Sequence, residues 1–266
     1  MNDPDHIGIA GDWHGNTQWA TSAIRQICER LPGENYKIIL QAGDFGISSD
    51  TGEFTFARET RHRQTYLEAV SETLEKCNAR LWFVDGNHED HPHLAELTKG
   101  MQDDDAEVSH RIRHLRRGYR WQWHDRTWLA MGGAVSVDKL IRLKYGPGHW
   151  FAEETITDEQ EAAAIAGGPA DVILSHDAPA EAPLRLMRPA PLAWQPMIAE
   201  ADEHREKMQR ICCAVKPSYI FHGHYHQSNI STVRTAWGSC RFTALDMNGR
   251  RKNWGILDAR TMEWKW

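Results

Sequence analysis

No apolar run in these 266 residues is long enough to span a bilayer, and residues 1–6, Met1-Asn2-Asp3-Pro4-Asp5-His6, lack the apolar centre of a secretion signal. No membrane partner is expected, and a cytoplasmic location is. Cysteine is scarce: five residues, an odd number that includes the vicinal Cys212 and Cys213, do not make a disulfide framework in a chain this large and fit a reducing compartment. Positive charge is not in excess. Lys and Arg total 31 against 37 Asp and Glu, so the net charge of −6 and pI of about 6.2 give no global pull toward nucleic acid, and any polyanion site must be local. No internal repeat is apparent, and the length suits one α/β domain, residues 1–266, with inserted loops.

Histidine and tryptophan, by contrast, are plentiful at 15 and 12 residues. Position decides which of them matter. Residues 81–89, Leu81-Trp82-Phe83-Val84-Asp85-Gly86-Asn87-His88-Glu89, read as a buried strand that ends by delivering an amide and an imidazole. Taken alone, this is a turn after a strand, since Asp, Gly and Asn are ordinary turn residues. Four further strand-like segments end in the same chemical vocabulary, at Asp12 and His14, at Gly43 and Asp44, at His176, and at Gly223, His224 and His226. His222 falls one residue early and reads as a core or supporting imidazole.

Between these tips the pattern is β and α in alternation. Asn16 is a cap for a helix with the stripe Ala20, Ala23, Ile24, Ile27 and Leu31; Lys37 to Ala42 is a strand, and a polar loop through Ser48, Ser49, Asp50 and Gly52 leads to a helix over about 58–77. Asp103 to Glu107 is acidic, and Arg111, Arg113, Arg116, Arg117 and Arg120 then interleave with Trp121 and Trp123. Such a mixture can grip nucleic acid, but the favoured reading is a hairpin turning at His124 and Asp125 with its tryptophans inward and its arginines solvated. Thr157 and Gln160 form a capping box, and a helix is expected over about 200–215. Two irregular stretches, 132–156 and the proline-rich 178–199, are expected as rim loops around the site, and the residues beyond Asn229 read as strands.

Collected, the tips supply Asp12, His14, Asp44, Asn87, His176, His224 and His226, with no thiolate among them. Seven mixed oxygen and nitrogen donors exceed one tetrahedral zinc site and suit a pair of divalent ions, Mn first, with Fe, Zn, Ni or Co as alternatives. Two such ions can share a carboxylate, for which Asp44 is the candidate, and can activate a bridging water for attack on a phosphoryl group.

These residues resemble the calcineurin-like metallophosphoesterases. Asp12-Trp13-His14, Gly43-Asp44, Gly86 to Glu89, the single His176 and Gly223 to His226 match that family's motifs in order, and Gly132 to Ser136 with Trp150 and Glu153 is similar to a block in bacterial members. The resemblance implies a four-layer α/β/β/α sandwich of two mixed sheets flanked by helices, with the metals at the strand tips. It implies Asp12, His14, Asp44 and His226 on one ion, Asp44, Asn87, His176 and His224 on the other, and His88 as the proton donor to the leaving oxygen. Ile47, Ser48 and Asp85 stand where the phosphoprotein phosphatase branch carries its Asp and Arg residues, so the phosphate-clamping arginines of that branch are missing. The expected activity is hydrolysis of phosphate esters, foremost phosphodiesters of nucleotides; the alternatives are a phosphomonoesterase of the same fold and a metal-binding scaffold without turnover.

Overall fold

The structure, a computed structural model, describes residues 3–31, 33, 36–47, 63–102, 106–146, 148–186 and 189–266. Alternation of side chains along short apolar strands explains its layers. In β1 (His6–Ala10) and β2 (Lys37–Gln41), Ile7, Ile9, Ile38 and Leu40 point one way while Ile39 points the other. In β8 (Val172–Ser175), Val172 and Leu174 oppose Ile173 in the same manner. Both faces of each strand are thus buried, and two sheets with helices outside them satisfy that requirement.

The first sheet has the order β13-β12-β1-β2-β3-β5-β4, where β3 is Ala79–Phe83, β4 Glu107–Ser109, β5 Ile112–His114, β12 Trp254–Asp258 and β13 Glu263–Lys265. The second runs β10-β11-β9-β8-β7-β6, with β6 Arg120–Trp123, β7 Arg126–Met131, β9 Tyr219–His222, β10 Asn229–Thr235 and β11 Gly238–Ala244. Both sheets are mixed: β1, β2, β3 and β5 pair in parallel, as do β7, β8, β9 and β11, while their outer neighbours pair antiparallel. Helices α1 (Thr17–Arg30), α2 (Arg63–Lys76) and α3 (His91–Leu97) cover the first sheet; α5 (Asp158–Ala166) and α6 (Gln195–Val215) cover the second. A short α4 (Lys139–Arg142) lies in the expected rim segment.

The middle layer accounts for much of the tryptophan. Trp121, Trp123 and Trp128 are buried between the sheets, with Trp121 stacked on Trp128 at 5.5 Å and Trp123 on Trp82 at 5.2 Å. The hairpin turns at His124 and Asp125, whose φ values of 47° and 59° are those of a tight two-residue turn. The expectation of solvated arginines is corrected. Arg113 lies over Trp82 and Tyr119, Arg116 donates to the carbonyls of Thr98 and Met101, Arg117 pairs with Asp85, and Arg120 donates to the carbonyls of Ala164, Gly168 and Pro169. These guanidiniums tie loops to the sheet edge, and those engagements leave little for a nucleic acid.

Asn16 accepts from Trp19 N as the cap of α1, and Thr157 and Gln160 close the capping box of α5. Residues 132–136 differ from their reading as irregular rim: they are buried, because Gly133 N donates to Asp85 O and Ala134 N to Glu154 O. Local pattern failed there because the partners are distant in sequence. The polar loop at 48–52, the first turn of the helix expected from 58, the acidic residues 103–105 and Ser48 among the departing positions lie outside the described residues. Among the described residues no helix is long and apolar enough to cross a membrane, and all five cysteines are free.

Candidate metal centre

Every donor sits just past the carboxyl end of a parallel strand: Asp12 and His14 after β1, Asp44 after β2, Asn87 and His88 after β3, His176 after β8, and His224 and His226 after β9. Both sheets therefore contribute to one crevice. The tips are stitched together by backbone, Asp44 O accepting from Trp13 N at 3.0 Å and His14 N at 2.7 Å, and His176 O from Gly223 N at 3.2 Å. His14, Asp44, His224 and His226 all have left-handed backbone, with φ of 49°, 52°, 66° and 47°. Non-glycine residues rarely adopt it, and its concentration on the donors is the strain expected where function dictates side-chain direction. Two motif glycines are there for space: a Cβ on Gly86 would stand 2.1 Å from Asp44 Oδ1, and one on Gly223 2.1 Å from Asp12 Oδ1.

Asp44 is the hub. His14 Nε2 lies 3.3 Å from its Oδ2, and His176 Nε2 lies 3.3 Å from its Oδ1, so each carboxylate oxygen faces a different imidazole. On the first side, His226 Nε2 is 3.2 Å from Asp12 Oδ2. On the second, His176 Nε2 is 3.1 Å from Asn87 Oδ1, and the His224 ring packs edge-on to His176 at 5.0 Å. Three overlapping sets, Asp12 with His14 and His226, Asp12 with Asp44 and His176, and Asp44 with His14 and His88, bring ligand atoms within 4.8 Å of one another and could each hold an ion. The imidazoles are also aimed. His14 Nδ1 is bonded to Asn248 Oδ1 at 2.8 Å and His176 Nδ1 to Ala42 O at 2.8 Å, which frees both Nε2 atoms for the crevice. Donor chemistry and direction fit divalent metal.

The carboxylates shift the titration of the imidazoles around them. For His14, burial pulls down, but the hydrogen bond and charge of Asp44 outweigh it and raise the group to about 9. For His176, burial is likewise overcome by Asp44, and the group rises to about 10. Asp44 itself is held well below the carboxylate range by His176, His88 and His14 despite complete burial. His88 and His224 go the other way, to about 3 and about 4, because desolvation dominates and neighbouring cations, Arg142 among them for His88, add to it. His222 is buried, lowered to about 4 chiefly by burial, and stands outside the three sets.

Several residues outside the expected donor set matter here, some of them with no sequence signal beyond their type. Asn248 reaches His14 from 234 positions away. Asp177 joins His204 Nδ1 at 2.6 Å and the Tyr225 hydroxyl at 2.5 Å, fixing the loop that bears His224 and His226. Behind Asn87, Asp85 accepts from Arg117 Nε at 3.0 Å and Nη2 at 2.5 Å and pairs with His114 at 3.2 Å. Glu89, the last residue of the third motif, accepts from Gly46 N and Gly86 N and locks two tips together.

A model of the calcineurin-like phosphoesterases matches residues 6–228, which contain all five motifs, and the chain belongs to that family. It is a hydrolase of phosphate esters, and its His and Asp groups could hold metal. The fold is shared with solved structures: TT1561 of Thermus thermophilus is 11% identical with a TM-score of 0.54 over 97% of both chains. A second solved structure is 12% identical with a TM-score of 0.55 over 98% of both. No curated protein matches the sequence.

Proposed function

We propose that this chain is a dinuclear phosphodiesterase acting on nucleotide esters, with Mn the first choice of metal and the cytoplasm its location. The observation that carries the reading is Asp44, whose two oxygens each face a different imidazole at 3.3 Å. Asp12, His14, Asp44 and His226 would hold one ion, and Asp44, Asn87, His176 and His224 the other. When bound, the pair supplies Lewis acidity at the phosphoryl oxygens and an activated water. His88 protonates the leaving oxygen. Burial keeps the free imidazole neutral, and a bound phosphate anion would favour its charged form, the proton being taken up from solvent.

Preference for diesters rests on charge. A monoester brings up to two negative charges, and sites specialised for it add arginines to neutralise them. Here Arg117 and Arg142, brought behind the third motif, have side chains only 7% and 4% exposed and are committed to Asp85 and to Asn87 O with Ser136 Oγ. Tyr145, 62% exposed on the segment that follows Arg142, offers a face to a base, whereas Trp150 already carries Lys139 at 4.3 Å. Under matched Mn conditions kcat/KM is expected to be higher for bis-p-nitrophenyl phosphate or a nucleotide diester than for p-nitrophenyl phosphate or a phosphopeptide. The reverse order for every diester tried would overturn the substrate assignment.

A further inference from the structure

Asn87 is the one amide in the proposed donor set, and an amide serves a cation only when its oxygen, not its NH2, faces the ion. The structure contains a device that settles this. Asn87 Nδ2 donates to Ser136 Oγ at 3.0 Å, 49 positions along the chain. Ser136 Oγ in turn donates to Glu154 Oε2 at 2.7 Å and accepts from Arg142 Nη1 at 2.5 Å, while Ser136 N donates to Glu154 Oε1 at 2.8 Å. A hydroxyl has one proton and two lone pairs. Glu154 takes the proton, so both lone pairs must meet donors, and the Asn87 partner can only be NH2. Arg142 also donates to Asn87 O at 3.2 Å, which pins the backbone of the same residue. Ser136, Arg142 and Glu154 are all buried, and their charges balance across 4.0 Å.

We infer that Ser136, polarised by Glu154 and Arg142, is a positioning residue that sets the Asn87 amide with Oδ1 toward His176 and the second ion. The inference rests on the dinuclear reading above. It also explains the burial of 132–136 beneath the rim: the segment is docked on the tip of β3 to deliver this hydroxyl. Were the amide turned over, its NH2 would face His176 Nε2 and the ion, and Ser136 would lose a donor.

The test uses Ser136→Ala in the full chain, with Ser136→Thr retaining the hydroxyl. Manganese binding is followed by calorimetry, and the Asn87 side-chain amide by nuclear magnetic resonance in metal-free protein. For Ser136→Ala one of the two manganese sites should lose about 10–100-fold in affinity, the range usual for partners of metal ligands, while the other site is unchanged. Ser136→Thr should recover most of that loss. The Asn87 NH2 protons should exchange slowly with solvent in the wild type and at least about tenfold faster in Ser136→Ala. A Ser136→Ala protein with wild-type melting temperature, both manganese affinities intact and a protected Asn87 amide would overturn the inference. If the wild type bound a single ion, the dinuclear reading would fall; the amide exchange would still decide whether Ser136 sets the orientation of Asn87.

Discussion

Two carboxylates at the ends of the neighbouring strands β2 and β3, Asp44 and Asp85, are almost equally buried at 1% and 3% exposure, and both are held well below the usual carboxylate range. Their partners differ. Asp85 is met by the guanidinium of Arg117 at 2.5 Å, with His114 at 3.2 Å and His91 at 3.9 Å beyond it. Among the described residues the side chains that meet Asp44 are imidazoles, His14 and His176 at 3.3 Å and His88 at 4.0 Å, beside the backbone N–H of His88 at 2.8 Å. A guanidinium never gives up its charge, so Asp85 is neutralised for good and its role is to hold the tip of β3. Imidazoles exchange protons for metal near neutral pH, so Asp44 can take a permanent cation only from outside the chain.

That contrast breaks most visibly at Asp44 itself. Asp44→Asn should abolish activity and leave fewer than one metal per chain by elemental analysis, because a neutral amide cannot balance two cations; two retained ions would show that Asp44 is not the bridge. His88 adjoins Asp44 without being assigned to an ion, and His88→Ala should keep both metals yet slow turnover by about 10²–10⁴ on alkyl leaving groups and far less on p-nitrophenyl ones. Equal losses on both would remove its role as acid. On the other side of the comparison, Arg117→Ala strands Asp85 and should cost about 3–5 kcal/mol in denaturant unfolding, while the metal stoichiometry stays at wild type. A loss of metal with no loss of stability would reverse the roles given to the two carboxylates.

The smallest effect is the exchange of protons. With His14 raised to about 9 and His176 to about 10 in the metal-free chain, both are protonated at pH 7. Metal uptake should then release about two protons, weaken as pH falls and strengthen as it rises, measured by calorimetry in buffers of different ionisation enthalpy. Uptake with no proton release would mean that His14 and His176 are not both protonated ligands in the metal-free chain.

The strand tips were legible because strands end abruptly: an apolar run followed by Gly, Asp, Asn or His places a donor in the crevice whatever lies elsewhere. Asp12, His14, Asp44, His176 and His226 fall in sets that could hold an ion, Asn87 meets His176 at 3.1 Å, and His224 stands outside those sets with its ring packed on His176. The alternation of strand and helix was legible too, whereas the two sheets with their flanking helices were expected from the family resemblance and are found. Segment 100–156 was read less well, since its polar residues take their meaning from partners far away. The arginines at 113–120 read as solvated because charge normally is; each has a carbonyl, a ring or a carboxylate that only the fold supplies. Likewise nothing near Asn248 announces His14, and nothing near Ser136 announces Asn87. The short α3 and the β4–β5 pair escaped because seven- and three-residue elements carry too little periodicity to register.

The central claim is that Asp44 joins two ions, and the most direct measurement is anomalous diffraction at the manganese edge from crystals grown with Mn. The account predicts two peaks roughly 3.5–4 Å apart on either side of Asp44, one beside His14 and His226, the other beside His176 and Asn87. A single peak, or two peaks of which only one touches Asp44, would contradict it.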